Sequence, residues 1–193
     1  MGTSSGVRIV VGRWDRSPLG AFADVMLEQA DGHRVLLASD RAVADFISDT
    51  YFFDEIRLGA VSVTESAAAT WRVTADELEL QFQVGRRSAL GRLLRAVPKG
   101  LAARPTWNRS IDPIARRVLH GVRTRGTARS GRHEYYGAHD QRLIDSLSGT
   151  WKAVDLGALT PVDPPVRFGF GSTPMTPSIT SVITTILTDD SDR

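Results

Sequence analysis

Residues 133–140 read His-Glu-Tyr-Tyr-Gly-Ala-His-Asp and hold two of the chain's four histidines, together with two carboxyls and two phenols. If the run is a strand, His133, Tyr135 and His139 share a parity and Glu134 and Tyr136 take the other. An imidazole beside a carboxylate can move a proton near neutral pH, or ligate a metal. The spacing is not His-Glu-x-x-His, because Gly137 stands where the second histidine would be, so no metal site is predicted. His133, Tyr136 and His139 are the candidates for acid–base work. The competing explanation is ordinary alternation of polar residues on a wet sheet face.

Immediately before this run lies the other chemical concentration. Residues 86–132 carry thirteen basic side chains against one acid, Asp112, whereas residues 1–85 hold seven basic and thirteen acidic groups and residues 133–193 hold four and eight. The formal net charge of +2 hides a basic middle between two acidic flanks. Like charges crowded into one segment are costly unless a partner or the flanks neutralise them. Arg116, Arg117, Arg123, Arg125, Arg129 and Arg132 are the candidate ligands for an anion. The partner could be an anionic small molecule or a nucleic acid, with Trp107, Tyr135 and Tyr136 available to stack on unpaired bases. No helix-turn-helix, zinc-finger or RNP-type motif accompanies them. The alternative is a belt neutralised by the acidic flanks, or by docking against a second subunit in a homo-oligomer.

Arg167 is a further candidate, because the run Phe168-Gly-Phe-Gly-Ser-Thr-Pro174 could floor a pocket into which it reaches. That run lacks the lysine and the following helix of a phosphate loop. Lys99, one of only two lysines, adds an enzymatic reading. The window Gly91-Arg92-Leu93-Leu94-Arg95-Ala96-Val97-Pro98-Lys99-Gly100-Leu101 resembles the Gly-Arg-Glu-Leu…Pro-Lys-Lys-Leu stretch of acetoacetate decarboxylases. The resemblance covers eleven of 193 residues. It implies a Schiff-base role for Lys99, tuned by cationic and apolar surroundings, in a lyase with a pocket near Lys99, His133 and His139. Leu93 replaces the family's glutamate and Gly100 its second lysine. The bland alternative is an exposed lysine after a helix-stopping proline.

Composition removes other chemistries. The chain has no cysteine, so disulfides and thiolate sites are out. There is no signal-peptide pattern and no apolar run of spanning length, so the reading is a soluble, cytoplasmic protein with no transmembrane segment. No cofactor motif is present, and none is predicted.

The elements that must position these groups are mostly strands. Val7–Val11 is β-branched, and Asp24–Gln29 and His33–Ala38 flank a turn at Ala30-Asp31-Gly32. Ser39 or Asp40 can cap a helix over 41–52. Strand patterns follow at 56–64 and 70–74, and Leu78–Val84 alternates strictly. In the basic middle, Ser88 caps a helix that places Leu90, Leu93, Leu94 and Val97 on one apolar stripe, and Pro98 stops it. A second helix starts at Asp112-Pro113 and ends near Gly121, and 123–132 reads as a loop. Strands return at 133–138, 143–147, 151–156, 166–171 and 179–188. The prediction is an α+β fold: a mostly antiparallel sheet or barrel with two or three short helices packed on it. Residues 1–188 form a single domain, 86–132 its basic insertion and 189–193 a disordered tail.

Overall fold

The computed structural model describes residues 1–96, 125–127, 133–169 and 173–187. Two sheets and two helices are present among them. In chain order these are β1 Gly2–Thr3, β2 Arg8–Trp14, β3 Phe22–Glu28, β4 Arg34–Ala38, α1 Arg41–Ser48 and β5 Glu55–Leu58. Then come β6 Val61–Glu65, β7 Thr70–Ala75, β8 Leu78–Arg87, α2 Ala89–Ala96, β9 Arg125–Thr127, β10 His133–Trp151, β11 Val154–Asp155, β12 Leu159–Thr160 and β13 Ser178–Leu187. The first sheet has the order β12-β1-β2-β3-β4-β5; the second runs β11-β10-β8-β7-β6, with β9 and β13 also on β10. The fold is therefore α+β and dominated by antiparallel pairing, as the turn and strand patterns predict.

One pair departs from that rule. β4 and β5 are parallel, and α1 makes the crossover between them. The Asp40 carboxylate accepts from the Val43 amide at 3.0 Å and starts this helix. Val43, Ala44 and Ile47 then pack on Met26, Leu36 and Ala38 of the first sheet, with Val162, Val166 and Phe168 of the C-terminal third. The alternate residues of the same strands, Ile9, Val25, Leu27, Val35 and Leu37, face the second sheet. They meet Val73, Leu78, Leu80, Phe82, Ile144, Leu147 and Trp151 in the larger core. The period-2 pattern thus sorts each strand of the first sheet between two apolar layers.

Several boundaries move. The predicted strands at 133–138, 143–147 and the start of 151–156 are one strand, β10, nineteen residues long. Its register against β13 shifts between Ala138 and Asp140, and against β8 between Arg142 and Ile144 and again between Ile144 and Ser146. Each irregularity resets the alternation, so a continuous strand reads as fragments. The 56–64 run divides into β5 and β6 at Gly59-Ala60, since the two strands belong to different sheets. Residues 166–169 form no strand; Gly169 makes a single bridge to Tyr51. The helix predicted over 112–121 and the 189–193 tail lie outside the described residues.

Candidate functional site

Asp140 of the titratable run and the start of the basic segment meet at the corner where β8 enters α2 and α2 lies over β10. Ser88 is the hinge of that corner. Its Oγ accepts from the Gly91 amide at 2.9 Å, capping the helix, and donates to the Gln141 side-chain oxygen at 2.7 Å. Gln141 in turn reaches Ser178 of β13 at 3.3 Å. Gly91 sits so close to β10 that a Cβ there would overlap the Gln141 backbone. Beside it, Arg87 forms a two-pronged pair with Asp140, Nε to Oδ1 at 2.6 Å and Nη2 to Oδ2 at 2.9 Å. The Arg87 guanidinium, helped by the Gln141 amide, holds the Asp140 carboxyl below the usual carboxylate range. Asp140 is thus a charged anchor for the corner and not a group poised to take a proton near neutrality.

The three candidates from this run share the strand. His133 lies opposite Thr127 of β9 and Leu187 of β13, and Tyr136 opposite Thr184. His139 falls in the bulge between Ala138 and Asp140 and has no register partner on β13, so the alternation relating it to His133 is interrupted there. Its Nδ1 is covered and lacks a hydrogen-bond partner. Arg125 pairs with Tyr135 through β9, a short strand within the segment predicted as loop. Lys99, Arg116, Arg117, Arg123, Arg129 and Arg132 lie outside the described residues.

Arg167 is placed elsewhere, on the α1 face of the first sheet. Its Nε and its amide both donate to Glu28, at 2.8 and 2.6 Å, and its carbonyl accepts from Arg34 at 3.2 Å. Glu28 is completely buried and also holds the buried Arg8 at 3.1 Å. This group clips the 161–168 segment to the sheet. Sequence gives no signal for it, because its members lie 20 and 139 residues apart. The helix α2 is also more open than its pattern implies. Leu93, predicted to share the apolar stripe with Leu90, Leu94 and Val97, is 66% exposed, and the neighbouring Arg92 and Arg95 are exposed as well.

The destination of the flank carboxylates decides how the basic segment is balanced. Asp15 pairs with Arg13, Glu28 with Arg8 and Arg167, Asp45 with Arg41, and Asp54 with Arg34. Glu55, Asp76 and Glu77 all hold Arg57. Among ion pairs between described residues, Asp140 is the one flank carboxylate that meets the basic segment, at Arg87 and, at 4.0 Å, Arg95. An open depression of about 350 Å³ on the outer face of the second sheet, lined by Arg72, Thr74, Glu79, Gln81, Ser148 and Gly149, offers polar groups of both signs and no paired acid and base.

Among the described residues, no three histidine or carboxylate side chains group so as to hold a metal, and no helix is long and apolar enough to cross a membrane. Comparison with protein-family models, with curated proteins and with solved structures finds no match to this chain.

Proposed function

We propose that this protein binds a polyanionic ligand through its basic segment, starting from the corner formed by the end of β8, α2 and β10. The observation that carries this reading is the pairing pattern of the acids. The flanks hold enough carboxylates to neutralise the segment, yet Glu28, Asp54, Glu55, Asp76 and Glu77 are engaged by flank arginines. Among the ion pairs between described residues, Asp140 is the flank carboxylate that meets the segment, at Arg87 and Arg95. Guanidinium groups left without carboxylates are suited to phosphate or carboxylate oxygens, which they grip in a planar fork.

A thermal-shift series checks this with inorganic polyphosphate, a short single-stranded oligonucleotide and a nucleoside triphosphate as probes. A ligand that binds the folded state raises the melting temperature. A rise with at least one polyanion, shrinking as salt increases, is the expected result. Equal melting temperatures with and without all three at low salt would refute the proposal.

A further inference from the structure

The first sheet buries a carboxylic acid that no ion pair engages among the described residues. Asp24 of β3 lies opposite Gly12 of β2 and Ala38 of β4, and is 1% exposed. Its Oδ1 accepts from the Trp14 indole Nε1 at 3.0 Å; its Oδ2 is covered and has no hydrogen-bond partner. Over it sits a roof of three aromatic rings. Trp14 stacks on Phe22 at 5.4 Å, and both meet Phe46 of α1 edge-on, at 5.9 and 6.0 Å. The carboxyl has room because residue 12 is glycine: a Cβ there would overlap Asp24 Oδ1.

The charged groups around this pocket are occupied with one another. On β3 and β2, Glu28 holds Arg8, and it holds Arg167 from the C-terminal segment that also carries Asp163. On β4, Arg34 holds Asp54. On α1, Asp40 caps the Val43 amide, Arg41 pairs with Asp45, and Asp49 forms the C-cap. Arg13 of β2 pairs with Asp15 and lies over Trp71, in contact with the opposite layer. Trp14 is the one polar partner of Asp24 among the described residues. An ionised carboxylate with a single neutral donor in an apolar site is expensive, whereas the neutral acid is not. Burial accordingly raises the group from 3.8 to about 6, against a smaller opposing pull from the Trp14 bond.

We propose that Asp24 is a proton-operated latch: when protonated it lets the Trp14–Phe22–Phe46 roof close and hold α1 on the first sheet, and when ionised it admits water and loosens α1. The sign follows from the direction of the shift. The folded state holds the proton more tightly than an exposed aspartate does, so the closed form is favoured at low pH and weakens as pH rises through the folded value. Of the elements that supply the roof, α1, eight residues long, is the one outside the sheet, and short peripheral helices open before central strands do. Loosening it would be felt at Phe52, whose amide donates to Phe168 at 2.7 Å, and at the Tyr51–Gly169 bridge.

The test is carboxyl ¹³C NMR of Asp24 from pH 4 to 8, assigned with Asp24→Asn, alongside amide hydrogen exchange over residues 44–48. The latch predicts a midpoint near 6 in place of 3.8. It also predicts protection of α1, corrected for intrinsic exchange, about tenfold lower at pH 7.5 than at pH 5. In Asp24→Asn that difference disappears. A midpoint near 4 would overturn the latch. So would α1 protection that is independent of pH, or that steps identically in Asp24→Asn. If Asp24→Asn does not fold, Trp14→Phe takes its place. Loss of the indole donor must raise the Asp24 midpoint, and an unchanged midpoint would equally overturn the latch.

Discussion

Arg57 holds three carboxylates at once, Glu55 at 2.6 Å and Asp76 and Glu77 at 2.8 Å each, while its guanidinium lies 5.3 Å from the centre of the Trp151 ring. It therefore ties β5, at the edge of the first sheet, to the β7–β8 turn and to the end of β10 in the second. Trp151, almost fully buried, reaches back through its indole to Gln29 at 3.4 Å. Arg57→Ala would leave the three carboxylates facing one another and strip the cation from the indole. Because the pairs are partly solvated, the predicted loss is modest, about 1–2 kcal/mol in urea unfolding at low salt. The deficit should narrow in concentrated salt, which screens the remaining repulsion. A deficit that grows with salt would mean that apolar packing of the arginine stem dominates. None of this was legible in the sequence, where Arg57, Asp76 and Trp151 are ordinary isolated residues. Asp24 and Gly12 escape notice for the same reason, since only strand register makes them neighbours.

Among the elements, α2 depends most on a single close approach. Ser88 as its cap could be read from the chain, because capping chemistry is local. Which side of the helix packs could not, for the Leu90–Leu94 stripe leaves Leu93 exposed. What seats α2 is the absence of a side chain at Gly91. Gly91→Val would push the helix off β10 and break the Ser88–Gln141 link, at a cost of about 1–3 kcal/mol. Hydrogen exchange should show the loss confined to α2 and the adjoining part of β10; unaltered protection there would show that the helix is seated by something else. The strands divide the same way. β8 was legible because it alternates without interruption, whereas β10 was not, its bulges breaking the period that identifies a strand. The parallel β4–β5 pair was missed because its partners are joined through α1 and no turn signal marks them.

At the scale of the whole molecule, the segregation of charge was visible from counting alone: thirteen basic residues against one acid in 86–132, between two acidic flanks. The fold class was visible too, from the density of short strands. Where the acids go was not, since that depends on which arginine each meets after folding. The first sheet and the inter-sheet contacts take up Glu28, Asp54, Glu55, Asp76 and Glu77 of the N-terminal flank. That leaves the basic segment with one described counter-charge, Asp140.

The measurement that tests the proposed anion binding most directly is the salt dependence of binding to a fluorescent single-stranded oligonucleotide, for the wild-type chain and for Arg92→Glu/Arg95→Glu. Counterion release predicts log Kd rising linearly with log salt, at about 0.7 per phosphate contacted on a single strand. The variant should bind more weakly and with a slope shallower by about one unit or more. Tight binding that ignores salt, or identical slopes for both proteins, would contradict the assignment of the basic segment as the anion site.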